Sequence, residues 1–135
     1  MKYLKALLTK ELHNFFKDDL CRIQHALDVL KHAENIMTEI KEADPEIVIA
    51  AALLHDTGIK ISEAELGYNN GKTQEKYGPE TAAKILKNIS FPEKKSKIVK
   101  EIISNHHSPD RFSYPELQIL KKADKIVNRG SAGKK

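Results

Sequence analysis

An almost uninterrupted apolar run, Ile47 to Leu54 (IVIAAALL), ends in His55 and Asp56, two side chains that resist burial. An unpaired carboxylate at the end of a buried helix costs several kcal/mol or takes up a proton. A divalent cation removes that penalty, because neutral imidazole and carboxylate are both good ligands for one. A purely structural alternative stands beside this: Asp56 ends the helix while His55 packs. Two more residues are of the same kind. His25 lies beside the apolar stripe of an upstream helix, and Asp124 sits in LKKADKIV between Leu120 and Ile126-Val127. Each alone reads as a satisfied polar residue. Three helices that each carry a His or Asp toward the core argue more strongly for a metal, since buried charges pair or bind ions. Spacing by itself leaves their convergence open.

The elements that must position these residues are helical. Residues 3–16 carry Leu4, Leu7, Leu8, Leu12 and Phe15 on one face. Asp18 or Asp19 caps a second helix over residues 20–42, where Ile23, Ala26, Leu27, Leu30, Ala33, Ile36, Met37 and Ile40 form a core-facing stripe. Asp44 and Pro45 open a third helix that is apolar nearly all round, hence buried, and Thr57-Gly58 ends it. Residues 60–78, with Gly67, Asn69, Asn70, Gly71 and Gly78, read as a loop holding at most a short helical turn. Pro79, Pro92 and Pro115 then open three helices that reach Asn88, His106 and Asn128. No stretch alternates at period two, so no sheet is expected. The tail 129–135, RGSAGKK, is expected to fray.

The order His, His-Asp, Asp, with RIQHALDVLKHA around the first, AALLHDTGIK around the second and ILKKADKI around the third, resembles the HD-domain superfamily of metal-dependent phosphohydrolases. The resemblance covers residues 20–128. It implies an all-α, single-domain bundle of about six helices over residues 1–128, with a metal at its centre. It also implies that His25, His55, Asp56 and Asp124 are the ligands of a divalent ion (Mn, Fe, Co, Ni, Mg or Zn), with open positions left for water and a phosphate oxygen. Some members hold a second metal through further histidines. Here Tyr77, in KYGPETAAKIL, stands where such a histidine often precedes a small segment, which favours one ion per chain.

Other residues have candidate roles around that centre. Arg22, one helical turn before His25, can reach a metal-bound phosphate, or form a surface ion pair instead. Lys60 follows the His-Asp segment closely and can neutralise phosphate charge; its alternative is a solvated lysine. His106 and His107, in IISNHHSPD, are candidates for a substrate contact or a general acid, against a helix C-terminus where His suits the macrodipole. Asp56 counts among the catalytic candidates as well as the ligands. Glu80 can position water or simply suit a first helical turn. His13 and His32 read as surface or structural residues.

Composition narrows the rest. One cysteine, Cys21, allows no internal disulfide and no cysteine-rich zinc site, which fits a reducing cytoplasm. The basic start MKYLKALLTKELHNFF is broken by Lys5, Lys10 and Glu11, so it is no signal peptide, and no run is long enough to span a bilayer. There is no phosphate-binding Gly-rich loop, no GxGxxG and no serine elbow. The net charge of +4 suits anionic ligands but also describes scattered surface lysines. Without aromatics interleaved in a basic run, nucleic acid is not an expected partner, although the lysine-rich PEKKSKIVK keeps that reading in view. The expected function is phosphomonoester or phosphodiester hydrolysis, with small nucleotides as the first substrate class by analogy with the superfamily. The rival is a non-catalytic helical module that binds a metal or nucleotide.

Overall fold

The computed structural model describes residues 1–133. Among them are seven helices and no strand: α1 (Leu4–Phe16), α2 (Leu20–Met37), α3 (Pro45–Leu54), α4 (Gly58–Leu66), α5 (Gly71–Asn88), α6 (Glu93–Ile103) and α7 (Pro115–Gly133). This is the expected all-α single domain. Helix α3 is its axis. Ile47, Val48 and every residue from Ala50 to Leu54 are buried, and α1, α2, α5, α6 and α7 all pack on it. A helix without a polar face has no other stable position.

Local chemistry sets the ends of the helices that matter. The Asp19 carboxylate accepts the Arg22 backbone N–H (3.3 Å) and starts α2. The Asp44 carboxylate accepts the Glu46 N–H (2.9 Å) ahead of Pro45 and starts α3. The Asp44 N–H in turn donates to Glu116 in the first turn of α7 (2.6 Å), which ties the beginnings of α3 and α7 together. α3 stops at Leu54, because the chain tightens there: Thr57 N–H bonds to Leu54 O and Ile59 N–H to Asp56 O, both three residues back. The Thr57 hydroxyl adds a bond to Leu54 O at 2.8 Å. His55 and Asp56 therefore lie on a sharp turn between α3 and α4.

The segment expected to be a loop is helical, and this is the main correction to the sequence reading. Gly58 does not end a helix but begins α4, and α5 begins at Gly71, with Pro79 in its interior. Asn70 and Thr73 form a reciprocal capping box at its start. Gly67 does make a turn, at φ 79° after α4, but Gly58 and Gly78 serve close packing instead. A Cβ on Gly58 would lie 2.5 Å from Gly78 N and 2.9 Å from Gln74 O, and one on Gly78 would lie 2.7 Å from Ile103 Cγ2. α4, α5 and α6 thus meet at two residues without side chains, and this packing outweighs the helix-breaking tendency of Gly and Pro.

Other boundaries also move. α2 ends at Met37 rather than at residue 42. α6 ends at Ile103, so His106 and His107 lie in the turn beyond it rather than at its last turn. α7 continues through Asn128 to Gly133, into the segment expected to fray; residues 134 and 135 lie outside the described residues. Propagation of an established helix needs only one further hydrogen bond per residue, so Gly130 does not stop it. No helix among the described residues is long and apolar enough to cross a membrane.

Gly58→Ala tests the glycine crossing. The added methyl meets backbone, which cannot rotate away, so urea denaturation is expected to show a loss of ~1–3 kcal/mol. An unchanged midpoint would mean that α4 and α5 are not held at this separation.

Candidate metal centre

Three helices and one turn bring four side chains to a point. His25 comes from the middle of α2, His55 from the end of α3, Asp56 from the turn after it, and Asp124 from the middle of α7. His25 Nε2 lies 3.2 Å from both Asp56 Oδ2 and Asp124 Oδ1. His55 Nε2 lies 3.3 Å and 3.4 Å from the same two oxygens. His55 is fully buried, and its Nδ1 donates to Ala52 O (2.7 Å), one turn back on α3. That bond orients the ring and sends Nε2 into the cluster.

The donor set fits a divalent cation. His55 Nε2 is buried and has no hydrogen-bond partner, although a buried polar atom nearly always finds one. Ligand atoms bound ~2.0–2.2 Å from one ion stand roughly 3 Å apart, close to the imidazole-to-carboxylate spacings of 3.2–3.4 Å here. His25, His55 and Asp56 each place a ligand atom within 4.8 Å of the others, and Asp124 reaches both imidazoles. In the absence of a cation, the same atoms must share protons. Hydrogen bonding of its imidazole to Asp124 and then to Asp56 raises His25 from 6.5 to about 9. Burial lowers His55, but the Asp56 charge and the closeness of both carboxylates outweigh it and raise the imidazole well above its ordinary value. Burial raises Asp56 and Asp124, yet the imidazoles hold both carboxyls well below the usual range.

A second group adjoins the first. One ligand atom each from Asp56, His106 and His107 also lie within 4.8 Å of one another. The His106 ring is 5.5 Å from that of His55. Its Nδ1 donates to Ile103 O (2.6 Å), and its Nε2 is buried without a partner. Burial, followed by the charges of His55 and His107, lowers His106 to about 3, so it is neutral near pH 7. Asn105, which the sequence did not single out, shapes this turn: it is fully buried, donates to Pro109 O (2.9 Å) and accepts from Arg111 N–H (2.7 Å).

The remaining expected residues divide clearly. Arg22 lines a cleft of about 420 Å³ with His25, Asp56, Cys21 and Asn128. Its guanidinium pairs with Asp19 (3.1 Å) and reaches Glu63 (3.5 Å). Lys60 is not brought to the cluster. Its ammonium donates to Phe15 O and lies over the Phe15 ring at 4.9 Å, because α4 turns this residue toward α1. Glu80 pairs with Lys100 on an exposed surface (3.2 Å). His13 is exposed and His32 half-buried. A second cleft, about 600 Å³, is lined by His106, His107, Asp124, Lys125, Asn128 and Arg129, with Lys121 and Ser108 at its side. Lys121, Lys125 and Asn128 stand three before, one after and four after Asp124 on one helix. For Lys121 and Asn128, helical spacing from Asp124 was the signal that could have found them.

With this geometry in view, the chain can be set beside known proteins. It matches the HD domain family over residues 22–129. The chain belongs to the HD domain family. A solved structure of a predicted HD superfamily hydrolase from an uncultured Thermotogales bacterium is similar to it at 26% identity, with a TM-score of 0.70 over 96% of this chain and 75% of that one. No curated protein sequence matches it. The HD domain places this chain in a superfamily of metal-dependent hydrolases, and its clustered His and Asp side chains are ones that can hold such an ion.

Proton competition at the HD residues has a measurable sign. Below pH 6.5 the His25 imidazolium exists in folded and unfolded chains alike, so its pairing with two carboxylates contributes fully to stability. That contribution is lost as pH rises through about 9. Chelated protein should therefore melt at progressively lower temperature between those limits, while the increase in Tm on adding Mn²⁺ should grow, because the cation displaces the proton. A Mn²⁺ effect that is flat with pH would contradict the arrangement.

Proposed function

We propose that the protein is a phosphohydrolase that cleaves a phosphomonoester or phosphodiester, with a small nucleotide as the first substrate class to test. The observation that carries this reading is the buried, unpartnered His55 Nε2 facing two carboxylates, of which Asp56 lines one cleft and Asp124 the other. His25, His55, Asp56 and Asp124 would hold one divalent cation. A cation bound there supplies Lewis acidity to a water molecule and to a phosphoryl oxygen.

The chain's own residues do the rest. The Ala52 carbonyl fixes the His55 ring, so the site needs little rearrangement to bind. Asp56 and Asp124, held ionised by the imidazoles, supply the negative charge that selects a cation. Arg22 faces the same cleft as Asp56, and its guanidinium, braced by Asp19, offsets phosphate charge. Lys125 and Arg129 line the other cleft and serve an anionic substrate from the opposite side. Lys60 has no part in this scheme, since its ammonium is committed to α1. His106, neutral and with a bare Nε2 that is buried, is suited to accept a hydrogen bond within the site and not to act as a general acid.

The test is phosphate release from a panel of nucleotides and small phosphoesters, run cation by cation. Release should require a divalent ion and fall by at least roughly a hundredfold in Asp56→Ala, the lower end of what losing a preorganised charge-stabilising group costs. Full activity in Asp56→Ala would overturn the site. Cation binding without release from any substrate would favour the non-catalytic binding module.

A further inference from the structure

A run of polar side chains leads from Arg22 around α4 and α5 to His107. The Arg22 guanidinium donates to Glu63 Oε1 (3.5 Å), and the Asn69 amide donates to Glu63 Oε2 (2.9 Å). The Gln74 amide donates to Asn69 Oδ1 (3.0 Å), and Gln74 Oε1 meets His107 Nε2. Gln74 is only 9% exposed, so water is a poor substitute for these partners.

The first member gives the run its direction. An ionised carboxylate can only accept. Asn69 must therefore turn its NH₂ toward Glu63, which leaves its oxygen for Gln74. Gln74 must then donate its own NH₂ to Asn69 and present its oxygen to His107. An amide oxygen accepts, so the proton belongs on His107 Nε2 and the lone pair on Nδ1. One assignment of both amides and the imidazole satisfies every partner.

Packing decides which way the bare nitrogen points. The Cδ2 edge of His107 faces Gly71, where an added Cβ would come within 2.9 Å of His107 Cβ and 3.7 Å of Cδ2. Nδ1 is on the opposite edge of the ring, away from α5. The backbone is fixed too, since His107 N–H (3.0 Å) and the Ser108 hydroxyl (2.8 Å) both donate to Glu75 Oε2. His107 lines the same cleft as His106 and Asp124.

We propose that Glu63, Asn69 and Gln74 are positioning residues that fix His107 as its Nε2–H tautomer and keep Nδ1 free as a lone-pair acceptor. The tautomer stands on these hydrogen bonds alone; its use in turnover rests on the phosphohydrolase reading. The Glu63 carboxylate that directs the relay also pairs with Arg22 in the first cleft, while His107 lies in the second.

Long-range ¹H–¹⁵N spectra of the full chain, recorded in alkaline solution where the imidazole is neutral, test this directly. In the wild type, His107 should show widely split ring-nitrogen shifts, with the proton on Nε2. Glu63→Gln replaces an obligate acceptor by a group that also donates, at a half-exposed position that does not touch His107. The two shifts should then move toward each other as the tautomers mix. Adding Gln74→Glu, an acceptor at His107 whatever Glu63 has become, should restore the split. A wild-type proton on Nδ1, a Glu63→Gln spectrum identical to the wild type, or a failure of Gln74→Glu to restore it would overturn the proposal. If the spectra behave as expected but no substrate is turned over, the relay stands and the phosphohydrolase reading fails.

Discussion

Burial of charge at the end of α3 is the constraint on which the rest of this structure depends. The helix has nowhere to go but the centre, because Ile47, Val48 and Ala50 to Leu54 are buried among five neighbours. Its last turn must therefore deliver His55 and Asp56 into the interior. An isolated carboxylate there would cost several kcal/mol. α2 and α7 answer with His25 and Asp124, so that each of the two imidazoles lies within 3.4 Å of both carboxylates. Such a set is stable either by sharing protons or by sharing a cation, and that competition is what makes the centre chemically responsive.

Much of the remaining architecture serves to hold that point still. The capped start of α3 is bonded to the start of α7 through Asp44 and Glu116, which fixes two of the contributing helices relative to each other. The tight turn at residues 54–59 swings the chain away after Asp56. α4 and α5 can then approach only because Gly58 and Gly78 face each other. α5 in turn carries Gln74 and Glu75, which grip the turn after α6, so the histidine pair there is set by hydrogen bonds from a different helix. The clefts open where this framework leaves α2 and α7 exposed beside the carboxylates.

How much of this could be read from the sequence depended on whether the signal was local. The caps at Asp19 and Asp44 and the apolar stripes of α1, α2 and α3 are local, and those helices begin where the sequence put them, although α2 stops at Met37 rather than at residue 42. Gly58, Gly71, Gly78 and Pro79 carry the ordinary signature of turns. What the three glycines do, letting α4, α5, α6 and the turn at His107 approach closely, exists only in the folded chain. The same holds at the site. His25, His55, Asp56 and Asp124 could be marked as polar residues beside apolar faces, but their meeting is a tertiary fact, and their role as ligands remains the proposal made above. Lys60 is close to Asp56 in sequence, yet the turn between them rotates it onto Phe15. Asn105 and Gln74 had no periodic signal at all, since each acts through bonds to a turn.

The central claim is that one divalent cation sits between the two imidazoles and the two carboxylates. X-ray absorption spectroscopy on protein loaded with one equivalent of Mn²⁺ tests it most directly. A shell of nitrogen and oxygen ligands with the multiple-scattering pattern of His25 and His55, reduced by one imidazole in His55→Ala, is the predicted result. A shell without imidazole, or one unchanged in that variant, would contradict the account.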